Sequence, residues 1–241
     1  MSRFTTQLRA EVQLVSRNGE QLLVTLGIPV LLLVFFSTVD VLPTGTPDPI
    51  DFLAPGILAL AVMSTSMVSL GIATGFERSY HVLKRLGATP LGRPRLVAAK
   101  ISSVAVVEVV QFAVIIPVAY ALGWNPDAPN WPAALGGVLL GTMAFAGIGL
   151  SLAGRLRGEI NLAAQNGLYL VLLLLGGMVI PLAKLPSGVR QVAQMLPSGA
   201  LADVLRETLT GAGVQPATSW LVLATWALAM PLAASRLFRW D

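Results

Sequence analysis

Residues 76–100 read FERSYHVLKRLGATPLGRPRLVAAK, and on both sides of them the chain turns strongly apolar. The flanking runs, 53–75 and 98–122, each satisfy the requirement of about 20 apolar residues for crossing a bilayer core. A charged island between two such runs reads as a loop joining two membrane spans. The same length test finds further runs at 21–39, 133–153, 161–182 and 218–236. Lipid offers no partner for an exposed backbone N–H or C=O, and the runs are too continuously apolar for the alternating strands of a membrane barrel. The expected fold is therefore an all-α membrane protein of six transmembrane helices, one domain over residues 1–241 without linker or internal repeat.

The composition agrees. Of 241 residues 55% are hydrophobic and 12% charged, and the mean hydropathy is +0.75, which leaves too few charges to dissolve a globular surface of this size. The net charge of +4 then records topology, and nucleic-acid binding is not implied. Thirteen of the sixteen Lys and Arg residues share one side: Arg3, Arg9, Arg17, Arg78, Lys84, Arg85, Arg93, Arg95, Lys100, Arg155, Arg157, Arg236 and Arg239. Only Lys184, Arg190 and Arg206 fall on the other. That bias places both termini and the island in the cytoplasm. Cysteine is absent, which excludes disulfides and thiol-ligated metals. Arginine outnumbers lysine and alanine is abundant, a usage that fits a GC-rich bacterial genome and hence a bacterial inner membrane.

Outside the spans, two segments have helical periodicity. In the first nineteen residues Phe4, Leu8, Val12 and Val15 recur on one face with Arg3, Arg9 and Arg17 around them, as in a helix lying along the inner membrane surface. The first twenty residues contain no apolar core of signal-peptide type. Between the last two spans, residues 184–211 suggest two short amphipathic helices, separated at Pro197, resting on the outer face of the bundle. Trp124 and Trp131 in the preceding outer loop suit the headgroup belt.

Catalytic chemistry is nearly missing. There is one histidine, His81, no H-E-x-x-H or G-x-S-x-G pattern, and no phosphate-binding G-x-x-x-x-G-K-[ST] loop. The chain is not expected to be an enzyme. The hydroxyl-rich STSMVS at 64–69 has no base nearby and reads as helix packing. Ionisable groups inside a span cost about 2.5–3.5 kcal/mol on insertion scales and imply partners. Glu108 is the conspicuous case, with Gln111 on the same face. They either line a polar cavity, or a protonated Glu108 pins a neighbouring helix. Asn161 and Gln165 repeat the pattern in the fifth span. Gly137 and Gly141, at GxxxG spacing, then Gly147 and Gly149, permit close helix approach in the fourth.

The island itself has order. Glu77 and Arg78 end one span, VLKRL at 82–86 makes one or two helical turns with Leu83 and Leu86 on one side and Lys84 and Arg85 on the other, and Pro90 stops it. Such a helix is a docking knob able to carry a push into both adjoining spans. ERSYHVLKRLGATPL, with Lys100 ten residues beyond Pro90, resembles the coupling-helix region of type-2 permeases of ATP-binding cassette transporters, a family that includes daunorubicin-type drug exporters and lipid or polysaccharide exporters. Pro181, Pro186, Pro197 and Arg206 fall where that family's last outer loop would place them. The chain departs from the family at His81 and Val82, where a Gly-Thr pair is usual.

The resemblance implies a permease that pairs with a second permease chain, identical or different, within membrane lipid. A separate nucleotide-binding subunit would hydrolyse ATP, so that ATP and Mg belong to the partner and this chain has no cofactor. Carried over, Glu77, Arg78, Leu83, Lys84, Arg85, Leu86, Thr89 and Pro90 make up the coupling segment, while Glu108, Gln111, Asn161 and Gln165 are the candidates for lining a pathway. The implied cargo is an amphiphilic drug or lipid. Rival expectations are a stand-alone proton-coupled transporter using Glu108 and a polytopic scaffold that moves nothing.

Overall fold

The structure, a computed structural model, describes residues 3–17, 19–39, 48–87, 92–126, 128–212 and 216–237, and among them every regular element is helical. In chain order these are α1 (Arg3–Arg17), α2 (Gly19–Thr38), α3 (Pro49–Met63), a π-helical stretch (Ser64–Ser69), α4 (Leu70–Ser79), α5 (Val82–Gly87) and α6 (Arg93–Ala121). There follow α7 (Trp131–Ala153), α8 (Gly158–Leu175), a 3-10 turn (Leu182–Lys184), α9 (Ser187–Met195), α10 (Pro197–Thr210) and α11 (Pro216–Leu237).

Five helices among the described residues are long and apolar enough to cross a membrane: Pro49–Ser79, Pro94–Ala121, Trp131–Ala153, Gly158–Leu175 and Ala217–Arg236. They match five of the six expected spans. The remaining one, 21–39, coincides with α2, whose described apolar stretch is the shorter Thr25–Thr38. Two of the five are unusually long. The rod from Pro49 to Ser79 has 31 residues and α6 has 29, so each measures about 45 Å at the helical rise against a hydrocarbon core of about 30 Å. Both therefore tilt or stand clear of the lipid, and α5 joins their free ends. The rod from Pro49 to Ser79 runs four residues past the expected 53–75 at each end, because a helix continues into water wherever its backbone ladder is unbroken. By contrast α8 stops at Leu175, seven residues short of the expected 182, where the chain turns at Gly176 and Gly177.

Packing centres on α7, against which α11, α10, α4, α3 and the π-helical stretch all lie. The glycines of the fourth span explain how. Side chains added at Gly137 and Gly141 would meet Val204 and Leu201 of α10, and one at Gly149 would meet the Met67 carbonyl. At Gly147 an added Cβ would lie 2.5 Å from both the carbonyl carbon of Met230 and the nitrogen of Pro231, so here two helix backbones touch. Backbone cannot rotate away as a side chain does. Gly147→Ala is expected to cost about 1–3 kcal/mol through forced separation of α7 and α11, read as a lowered unfolding midpoint in detergent. Gly167→Ala, where nothing lies within 4 Å, should leave the midpoint unchanged or raise it, since alanine favours a helix interior over glycine by up to about 1 kcal/mol.

Between the last two spans the two expected short helices form on either side of the Leu196–Pro197 junction, but α10 does not rest on the bundle as its amphipathic pattern suggests. Every residue of α10 from Pro197 to Arg206 is buried, wedged among α3, α7 and α11, while α9 keeps an exposed face. Several of the polar groups of α10 pair within the bundle, although Ser198 Oγ and Arg206 Nε are buried without a hydrogen-bond partner among the described residues. Ser219 donates to Asp203 at 2.7 Å, and Arg206 donates to the carbonyls of Gly177 and Met178 at 2.6 and 3.1 Å while lying 3.8 Å above the Phe52 ring. Burial pushes the Arg206 guanidinium down to about 10, partly opposed by Asp203, so it remains charged at neutral pH and holds the carbonyls that follow α8. An amphipathic moment records a polar stripe but not whether that stripe meets water or partners.

Candidate functional site

The charged island is described over residues 76–87 and 92–100. Its first turn follows directly on α4: the Tyr80 and His81 amides donate to the carbonyls of Phe76 and Arg78, each at 2.9 Å, and His81 takes φ +60°. That left-handed conformation is costly for a residue with a Cβ, by roughly 1–2 kcal/mol. It falls at the position where the resembled family usually has the glycine of its Gly-Thr pair. His81→Gly should relieve the strain and raise stability by up to about 1 kcal/mol after glycine's added unfolded-state entropy, seen as a higher unfolding midpoint. His81→Val should lower it.

α5 then divides its residues by role. Leu83 is fully buried against Leu96 of α6, with Leu86 packed on the same pair, so the apolar edge anchors the short helix to its own bundle. Lys84 and Arg85 are exposed, as are Tyr80 and Val82. The surface that α5 offers to another molecule is therefore basic with two apolar side chains beside it, and Leu86 contributes less to it than the sequence pattern implies. Thr89 and Pro90 lie outside the described residues.

Glu77 and Arg78 are engaged within the chain. Arg78 donates to the carbonyls of Ala153 and Leu156 at 3.2 and 3.3 Å, satisfying acceptors at the end of α7 that the helix cannot. One residue on, the Ser79 hydroxyl accepts from the Gly158 amide at 3.2 Å, where α8 begins. The end of α4 thus fixes the turn between the next pair of spans.

The central feature is a three-way ion cluster. The ammonium of Lys100, a residue only 1% exposed, donates to Glu77 Oε2 at 2.7 Å and to Glu11 Oε2 at 3.1 Å. Gln7 donates to the other oxygen of Glu11 at 2.7 Å. One cation therefore joins α1 to both helices that carry α5. Beside it a cavity of about 360 Å³ opens between α1, α2, α4 and α6, with largely apolar walls that include Leu14, Phe76 and Val104, and with Thr25 and Thr65 among its lining residues.

Sequence reading flagged Lys100 as a helix-start cation and missed Glu11 altogether. The one available signal was an acidic residue on the otherwise cationic helix α1.

The intramembrane polar residues each have an interhelix partner. Thr142 of α7 donates to Glu108 Oε2 at 2.6 Å, and Glu108 Oε1 is buried without a hydrogen-bond partner among the described residues. Gln111 accepts from Thr65 of the π-helical stretch and donates to the Thr25 carbonyl of α2, both at 2.9 Å. Asn161 donates to the Gly71 carbonyl and Gln165 to the Gly149 carbonyl, again both at 2.9 Å. Glycine at 71 and 75 gives these two amides room, since a Cβ there would collide with Gln165 and Asn161 respectively. The structure does not bring the four residues into one site. Glu108 and Gln111 face α7 and α2, whereas Asn161 and Gln165 tie α8 to α4 and α7. Thr25 and Thr65, which hold Gln111, are the members of this network that reach the cavity.

Comparison with known proteins places these features in context. Residues 2–210 match the ABC-2 type transporter family. The chain is also 28% identical over 193 residues to YvfS of Bacillus subtilis (strain 168), which carries the name of a transport permease, with 78% of each chain covered.

Proposed function

Because the chain belongs to the ABC-2 type transporter family, whose profile spans residues 2–210, we propose that it is the membrane-spanning permease subunit of an ATP-driven exporter and that α5 is its coupling helix. The observation that carries this reading is the construction of α5. A short helix, anchored through Leu83, presents exposed Lys84 and Arg85 at the joined ends of two rods longer than a bilayer requires. A load on α5 is delivered directly to the two spans that flank it.

In this reading α2 supplies a sixth span, the charged island and both termini face the cytoplasm of a bacterial cell, and a separate nucleotide-binding subunit docks on α5 and hydrolyses ATP. The thirteen-to-three distribution of cations supports the orientation. Two permease chains assemble side by side. Broad apolar faces support that assembly in lipid: only 22% of the spanning window is buried in α8 and in α11, against 72% in the α3–α4 rod. Glu108, Gln111, Asn161 and Gln165 would line a pathway only after their interhelix bonds open, so the resting protomer is closed at those residues. An amphiphilic drug or lipid is the cargo that suits an apolar bundle with isolated internal polar groups.

The experiment is a pull-down from native membranes with an affinity-tagged chain. A phosphate-loop ATPase, encoded beside the permease, should copurify in stoichiometric amount. Transport sustained by a proton gradient with no such partner would instead support the Glu108-based alternative.

A further inference from the structure

Lys100 is a costly way to hold helices together. Burying an ammonium and two carboxylates incurs a desolvation penalty that well-packed apolar residues would avoid, so an ion cluster of this kind is weak as glue and best suited to fixing register between elements. Its placement points to which elements. Along its length α1 packs on α6 and α2, but between α1 and α4 lies the 360 Å³ cavity. Lys100 bridges that gap, reaching Glu11 on one side and Glu77 on the other. Gln7 holds the second Glu11 oxygen, so the Glu11 carboxylate is oriented from both sides. Glu77 lies two residues before the end of α4 and Lys100 seven residues after the start of α6, the two helices whose ends α5 joins.

We propose that Glu11 and Lys100 are positioning residues that tether α1 to the coupling helix, so that α1 and α5 move as one unit and the seating of α1 on the membrane surface sets where α5 stands. The Glu11–Lys100 bond lies on the seam where α1 packs on α6, and its continuation to Glu77 crosses the cavity rather than packed side chains, so the ion cluster fixes where α1 stands relative to α4. This rests on the reading of α5 as the coupling helix.

The chain lacks cysteine, so spin labels can be introduced at Arg9→Cys and Arg85→Cys, both exposed. Their separation is then measured by pulsed electron resonance in nanodiscs containing the copurified ATPase subunit. The parent should show one narrow distance distribution both without nucleotide and with ATP trapped. Glu11→Gln should broaden or shift that distribution by about 5 Å or more, the rise of one helical turn, in at least one of the two states. Lys100→Arg, which keeps the charge, should restore most of the parent behaviour, whereas Lys100→Met should resemble Glu11→Gln. A Glu11→Gln distribution identical to the parent's in both states overturns the tether. The underlying reading is checked separately by cross-linking from Arg85→Cys to the ATPase subunit. If that cross-link forms while Glu11→Gln leaves the distances unchanged, the tether alone fails; if it never forms, the docking reading fails.

Discussion

Lys100→Met should cost about 3–5 kcal/mol of stability, the range found when one partner is removed from a buried ion pair. The substitution nearly preserves volume, so the loss is electrostatic: Glu11 and Glu77 would remain close together in a largely buried site, with no cation between them. A drop of that size consumes much of the 5–15 kcal/mol that typically separates folded from unfolded protein. It should appear as a much lower unfolding midpoint and a reduced yield of monodisperse protein. Combining Lys100→Met with Glu11→Gln and Glu77→Gln removes every charge at once and should recover most of the loss, because a neutral cluster leaves nothing unpaired. If the single and triple variants are equally unstable, the ammonium contributes through its shape and not its charge.

Reversing Lys84 and Arg85 together to glutamate should weaken association with the ATPase subunit by roughly 100-fold, about 2.7 kcal/mol, because charge reversal at a docking face sets like charges against the partner. Folding should be unaffected. Both side chains are exposed, and surface substitutions of this kind usually change stability by no more than about 0.5 kcal/mol. Leu86 is best left alone in this variant, since it packs on Leu83 and Leu96 and its loss would mix a folding defect with a docking defect. The checks are the amount of ATPase retained on the tagged permease and the unfolding midpoint of the permease alone. Equal retention by parent and variant would remove α5 as the docking element.

Much of this architecture is legible in the sequence because lipid enforces it. Five of the long apolar runs form helices long and apolar enough to cross a membrane, since runs too continuously apolar for a barrel satisfy their backbone in hydrocarbon as helices. The VLKRL pattern likewise gave the two sides of α5, though not that Leu83 would be spent on Leu96. What stayed hidden depends on contacts between segments far apart in the chain. Lys100 and Glu11 are 89 positions apart, and local periodicity has no term for such a pair. Glu108 stood out as a charge in a span, but its partner Thr142 was one hydroxyl among many. The π-helical winding of Ser64–Ser69 left no mark in composition, although the same stretch brings Thr65 to Gln111. α10 misled for the opposite reason: its polar stripe was plain, while the internal bonds of Asp203 and Arg206 that allow it to be buried were not.

The central claim is that the α4–α5–α6 corner stands on the inner face of the membrane and receives the ATPase. It is tested most directly by introducing Arg85→Cys into the cysteine-free chain and exposing sealed vesicles of known orientation to a membrane-impermeant thiol reagent. Labelling should occur in inside-out vesicles, fall when the ATPase subunit is bound, and be absent from right-side-out vesicles. Labelling from the outer face, or labelling that ignores the bound subunit, would contradict the account.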